Sequence, residues 1–268
     1  MLQSMNLKGK VVVITGGNSG IGRATALVFA REEAKVVIAA RNVERGNRVL
    51  DELHIAGADA LFVRTDVSKS SQIEALVNKT VETFGRLDCA VNNAAGQIGA
   101  CSLTADFSEQ EFDETMAVDL KGVWLGMKFQ IRQMLRQNPS GGAIVNVSSV
   151  NGLGGAPTAS LYSAAKAGIL GLTKSAALEY IRHGIRINAI AAGPFDTPLL
   201  NFSFDREANG DPDVRKSIED EYIETIPIGR IGNPTEAAEV IAWLCSDAAS
   251  YVIGHSMIVD GGMSAPFR

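Results

Sequence analysis

Short apolar, β-branched runs recur along this chain, and each is followed by a stretch of helical length. Val11-Val12-Val13-Ile14, the run from Lys35 to Ala40, Leu61-Phe62-Val63, the run from Leu87 to Val91, the run from Ala143 to Val147, Ile185-Arg186-Ile187 and Met257-Ile258-Val259 are the strand candidates. Between them lie helical patterns at about 21–31, 43–56, 70–84, 108–136, 162–182 and 235–246. Few of these runs alternate polar with apolar residues, so each strand must be buried on both faces. Strands of that kind, regularly separated by helices, predict a parallel sheet covered on both sides. Right-handed crossovers then give a doubly wound α/β fold, whose ligands sit at the carboxyl ends of the strands.

Composition narrows the class further. The chain has 268 residues, 46% of them hydrophobic, with 25 Lys+Arg against 30 Asp+Glu. It is long enough for one substantial α/β domain, and the formal charge of −5 excludes a general nucleic-acid binder. No Pro/Gly/Ser linker divides it, so residues 1–268 read as a single domain. Met1 to Asn6 lacks the basic and apolar regions of a signal peptide, and no apolar run approaches a membrane span. Cys89, Cys101 and Cys245 form no CxxC pair, which speaks against structural zinc or a disulfide framework and points to a reducing cytoplasm. His54, His183 and His255 fall on unrelated elements, so no metal site is expected. The 27 glycines exceed the average usage of about 7%, and their positions carry information.

The first run leads into Thr15-Gly16-Gly17-Asn18-Ser19-Gly20-Ile21-Gly22, which opens a helix. Glycines there let the backbone approach a pyrophosphate, while the helix N-terminus offers free N–H groups and the positive end of its dipole. The spacing T-G-x-x-x-G-I-G, followed in order by Asp66-Val67, Asn92-Asn93-Ala94-Ala95-Gly96, Tyr162-Ser163-Ala164-Ala165-Lys166 and Asn188-Ala189-Ile190-Ala191-Ala192-Gly193-Pro194, resembles the short-chain dehydrogenase/reductase family over essentially the whole chain. The resemblance implies a Rossmann-like sheet of about seven strands. It implies a cofactor held by Gly16, Asn18, Ser19, Gly20, Ile21 and Gly22, with adenine against Asp66 and Val67. Asn93, Ala94 and Gly96 would line the cleft, and Pro194 and Thr197 would embrace the nicotinamide end. Ala192 stands where the family commonly has proline.

The second strand ends Ala39-Ala40 and is followed by Arg41. An NAD site wants a carboxylate at that point, whereas a small residue beside a guanidinium accommodates a 2′-phosphate. NADP is therefore the expected cofactor, ahead of NAD.

Tyr162 and Lys166 are four residues apart and share one helix face. A phenol titrates near 10, too high for a base at neutral pH, and an adjacent cation stabilises the phenolate. Ser149 ends the fifth strand and faces the crevice, where its hydroxyl can hold a carbonyl oxygen; the family's thirteen-residue spacing to Tyr162 selects it over Ser148. The resemblance also places Asp119 where the family has an asparagine of the proton relay. A carboxylate accepts hydrogen bonds but cannot donate as an amide does.

These residues predict an oxidoreductase that moves hydride between a nicotinamide and a secondary alcohol or ketone. A 3-oxoacyl-[acyl-carrier-protein] reductase is the rival within the same chemistry and would need a basic docking patch, to which Arg182 and Arg186 could contribute. A dinucleotide-sensing regulator without turnover is the rival from another class. The segment from Phe195 to Pro227 breaks the rhythm as a long irregular insertion, and Phe195, Leu199, Leu200, Phe202, Phe204 and Tyr222 suggest an apolar substrate lid. Trp124, Met127 and Phe129 add apolar surface beyond one stripe on the long helix, and the family's use of such helices in subunit contacts implies a homotetramer.

Overall fold

The computed structural model describes residues 5–96 and 98–265, so most of the stretch that argues against a signal peptide, Met1 to Ser4, lies outside the described residues. Seven parallel strands form one sheet in the order β3-β2-β1-β4-β5-β6-β7. They are β1 (Val11–Thr15), β2 (Lys35–Ala40), β3 (Ala60–Arg64), β4 (Cys89–Asn92), β5 (Gly142–Ser149), β6 (Ile185–Ala192) and β7 (Ser256–Val259). Nine α-helices are described: α1 (Gly20–Arg31), α2 (Val43–Ile55), α3 (Ser70–Phe84), α4 (Glu109–Thr115), α5 (Gly122–Arg136), α6 (Ser160–Tyr180), α7 (Pro198–Glu207), α8 (Pro212–Glu224) and α9 (Pro234–Cys245).

The absence of alternation in the strands has its cause here. Val12 and Ile14 of β1 pack on one face with α1, α2 and α9 residues such as Phe29, Leu53 and Ile241. Val13 packs on the other with α3, α5 and α6 residues such as Leu76, Met134 and Ala177. Both faces bury apolar surface, at roughly 25 cal/mol per Å² removed from water. Among the described residues no helix is long and apolar enough to cross a membrane.

Several boundaries differ from expectation for physical reasons. β6 continues five residues past Ile187 because the one polar residue of that extension is satisfied in place: Asn188 Nδ2 donates to Val252 O at 2.8 Å and Oδ1 accepts from His255 N at 2.9 Å. The helix expected at 108–136 starts as foreseen, with Ser108 and Glu111 forming a capping box, but it is interrupted by a π-helical turn at Met116–Lys121. Met127 and Phe129 are buried against the sheet, and of the three residues singled out on this helix only Trp124 faces outward. The insertion at 195–227 is not irregular. It folds into α7 and α8, joined by a turn in which Asn209 and Gly210 take positive φ and Asp211 caps α8 by accepting from Asp213 N and Val214 N. Phe195 belongs to the core, 5% exposed and packed against Gly232.

One feature left no trace in periodicity. Asn92 of β4, Gln130 of α5, Asn146 of β5 and Thr173 of α6 form a buried hydrogen-bond chain between sheet and helices. Asn92 sits at its centre: Nδ2 donates to Asn146 Oδ1 at 2.9 Å, and Oδ1 accepts from Gln130 Nε2 at 2.8 Å. Gly126 leaves room for it, since a Cβ there would fall 2.4 Å from Asn92 Oδ1. Asn92→Ala strands two buried amides and is expected to destabilise the protein by about 1–3 kcal/mol, read as a lower midpoint in urea denaturation.

Candidate active site

The order of the sheet reverses between β1 and β4, and the chain leaving each strand turns to an opposite face. A crevice opens there, at the carboxyl ends of the strands. Its floor is held by side chains from both sides. Thr15 Oγ1 accepts from Asn93 N at 3.0 Å and Ala94 N at 3.2 Å, and Asn93 Nδ2 donates to Thr15 O at 3.1 Å and Gly16 O at 3.3 Å. The Asn93 side chain is thus spent on the glycine loop and shapes the cleft from behind. Gly16 has φ +67°, and a Cβ there would lie 2.8 Å from Asn93 Nδ2; on Gly22 it would lie 2.2 Å from Gly16 O. Neither position accepts a side chain.

The loop opens onto the start of α1. Ser19 is the N-cap, yet among the described residues its side chain makes no capping bond. Ile21 turns its side chain toward the core, so Gly20, Ile21 and Gly22 present backbone to the cleft. The Thr197 methyl carbon approaches the place of a Gly20 Cβ to 3.0 Å, while its hydroxyl caps α7 by accepting from Leu200 N. An extended anion fits this cradle of N–H groups and glycine backbone.

The flanks of the cleft follow. Asp66 Oδ1 accepts from Ser68 N and Oγ; although burial pushes this carboxyl up, those bonds and the nearby Arg41 charge bring it below the usual range. Val67 packs on Gly122 at the beginning of α5. Ala40 closes β2 without a carboxylate, and Arg41 is exposed beside it. Gly193 packs on Asp260, and Pro194 O accepts from Gly232 N at 3.0 Å.

The side chains expected to react come from β5 and α6. Ser148 Oγ donates to Lys166 O at 2.8 Å, and Lys166 Nζ donates to Val147 O at 3.1 Å, so α6 is pinned to the end of β5 twice. Lys166 is buried, with Nζ 5.3 Å from the centre of the Tyr162 ring. Tyr162 is held from the other side by its own N–H, which donates to Gly99 O at 3.1 Å. Ser149 Oγ accepts from Asn151 N at 3.2 Å, and among the described residues nothing accepts its hydroxyl proton, which is left for an oxygen in the cleft. Sequence reasoning overlooked the anchoring roles of Ser148, Val147 and Gly99; a serine one residue before Ser149 was the only available signal.

Asp119 lies on the π-helical turn, wholly buried, with Oδ1 accepting from Gly96 N at 2.6 Å. Beyond β6, Phe204 of α7 packs edge-on against Tyr222 of α8 at 5.4 Å, and Arg215 ties the two helices by donating to Asp205 and Asn201. Burial pushes the Tyr222 phenol up, and the neighbouring Tyr162 adds to it. Arg186 is not available for docking: its guanidinium donates to the carbonyls of Leu244, Ser246 and Ala249 at the opposite end of the sheet.

Comparison with known proteins agrees with this geometry. A family model described as enoyl-(acyl carrier protein) reductase matches residues 16–264. The chain belongs to the short-chain dehydrogenase/reductase family. It is 39% identical over 261 residues to 2,5-dichloro-2,5-cyclohexadiene-1,4-diol dehydrogenase of Sphingobium indicum, covering 97% of this chain and 99% of the relative. Levodione reductase of Leifsonia aquatica is 41% identical over 261 residues, covering 96% of this chain and 95% of that one. A crystal structure of levodione reductase superposes with a TM-score of 0.93 at 39% identity, over 98% of this chain and 100% of that chain. Cyclohexanol dehydrogenase of Acinetobacter sp. strain SE19 is 38% identical over 264 residues, 98% of each chain.

The glycine cradle gives a direct test. Gly22→Ala drives a methyl group into Gly16 O and is expected to abolish dinucleotide binding, read as loss of the quench in a tryptophan-fluorescence titration.

Proposed function

We propose that this protein is an NAD(P)-dependent oxidoreductase that interconverts a cyclic secondary alcohol and its ketone. The observation that carries the reading is the placement of Lys166, buried, fastened to the end of β5 and 5.3 Å from the Tyr162 ring. A bound nicotinamide supplies or accepts the hydride. Tyr162 gives the substrate oxygen its proton during reduction and takes it back during oxidation. The ammonium of Lys166 favours the phenolate form that results, and its remaining N–H groups are free for the cofactor ribose. Ser149 donates its unspent proton to the same oxygen and stabilises charge developing on it. The intact set speaks against a regulator without turnover, since sensing needs no proton donor.

The cofactor is held by Gly16, Asn18, Ser19, Gly20, Ile21 and Gly22 at the phosphates, and by Asp66 and Val67 near the adenine. Ala94, Gly96, Pro194 and Thr197 form the walls toward the nicotinamide. NADP is preferred over NAD, because Ala40 offers no carboxylate to the ribose and Arg41 stands exposed at the same edge.

The α7–α8 arm acts as a lid on the one domain. Its inner aromatic pair, Phe204 and Tyr222, suits a compact apolar ring, in keeping with the cyclohexane and cyclohexadiene alcohols in two relatives' names. An acyl-carrier substrate is disfavoured because Arg186 is consumed within the fold. Trp124 on α5 and Leu178 on α6 are exposed apolar residues, 44% and 77%, that a homotetramer would cover. Three free thiols, two of them buried, suit a reducing cytoplasm.

Two measurements test the reading. Tyr162→Phe is expected to lower kcat with cyclohexanol or cyclohexanone by about a hundredfold or more while leaving the dissociation constant for NADPH nearly unchanged. Arg41→Ala is expected to raise KM for NADP about tenfold and KM for NAD hardly at all, by the loss of one charge-assisted bond to phosphate; equal effects refute the cofactor assignment.

A further inference from the structure

The π-helical turn at Met116–Lys121 puts a carboxyl group where water does not reach: Asp119 is 0% exposed. Its two oxygens meet different surroundings. Oδ1 accepts from Gly96 N at 2.6 Å, whereas Oδ2 is buried and, among the described residues, has no hydrogen-bond partner. A carboxylate offers about four lone-pair sites, and one donor does not satisfy an ionised group in this position. An isolated buried charge is costly enough that a carboxyl group takes up a proton instead.

The charges around it do not reverse that balance. On the turn itself Lys121 is exposed, as are Asp113 and Glu114 of the adjoining α4. The nearest cation of α5, Lys128, lies over the rings of Trp124 and Phe129. The stretch from Asn93 to Gly96 carries no charged residue. From α6 come Tyr162 and Lys166, and Lys166 is the charge that acts on Asp119. Burial pushes the Asp119 carboxyl up, while the Lys166 charge and the Gly96 N–H pull it down; burial prevails.

We propose that Asp119 is a positioning residue that stands as the neutral carboxylic acid at neutral pH, with Oδ1 accepting from Gly96 and Oδ2 carrying the proton. The turn then presents a neutral acceptor and a neutral donor, as an amide would. Lys166 keeps its full charge for Tyr162, because no carboxylate competes for it. This rests on the reading of Tyr162 and Lys166 as the proton-transfer pair, and thermal stability tests it apart from that reading.

A folded state that holds the proton more tightly than the unfolded chain is penalised progressively as pH rises above the unfolded value. Asp119→Asn keeps the shape and the hydrogen bond from Gly96 and removes the penalty. Its melting temperature is therefore expected to exceed that of the unmodified protein by about 8 °C or more at pH 8, with the gap closing toward pH 4.5. In cyclohexanone reduction, the ratio of its kcat to that of the unmodified protein is expected to stay constant up to neutral pH and to rise only above it. Asp119→Leu is also neutral but leaves the Gly96 N–H unpaired, and it is expected to fall below Asp119→Asn in both melting temperature and kcat. If Asp119→Asn melts lower than the unmodified protein by a gap that widens with pH, Asp119 is an ionised partner of Lys166 and the proposal fails. A gap that is independent of pH overturns it equally. A melting gap of the expected sign without turnover in any variant sinks the assigned reaction and leaves the neutral Asp119 standing.

Discussion

The junction between β1 and β4 governs the rest of this structure. Two parallel strands lie side by side, their following segments depart to opposite faces, and the gap would collapse or fill without something to hold it. Thr15 and Asn93 do so, each bonding the backbone of the other strand's exit. Their bonds bring the two loops so close that Gly16 and Gly22 have no space for a Cβ. An anion-binding crevice therefore arises from sheet topology and two polar side chains before any cofactor-specific group is considered.

Polar groups inside the fold do the corresponding work for the residues proposed to react. α6 presents Tyr162 and Lys166 at one height because Ser148 and Val147 fasten Lys166 by its carbonyl and its ammonium. Deeper in, the chain from Gln130 through Asn92 and Asn146 to Thr173 ties α5 and α6 to the middle strands. Apolar packing alone is non-directional and tolerates small slides of a helix over a sheet. Fully paired buried amides do not, and they give the register on which a proton transfer depends. Asp119 belongs to the same economy of buried polar groups, with the difference that one of its oxygens is left for a proton.

Much of this was legible in the residues. Unalternated β-branched runs separated by helical periods led to seven parallel strands, and the glycine loop, Ser149, Tyr162 and Lys166 all fall at the strand ends where that topology puts ligands. Boundaries were read less well where polarity was satisfied by distant partners, as at Asn188 in β6. The α7–α8 arm was mistaken for irregular chain because its many charges obscure any apolar stripe; its charges pair along and between the two helices, as Arg215 does with Asp205 and Glu219. Arg186 looked free for a partner because carbonyls that accept its protons lie about sixty residues away.

The residues by themselves determined the fold class, which follows from local period, and their motifs carried the resemblance from which the cofactor class and the candidate proton-transfer groups were read. Only the tertiary structure decided which polar side chains are spent and which remain available. Asn93 turned out to brace the glycine loop, and, among the described residues, Ser149 to keep its proton and Asp119 to have one oxygen bonded and the other without a partner. Hydrogen-bond satisfaction depends on groups brought together from distant parts of the chain, and no pattern along the sequence records it.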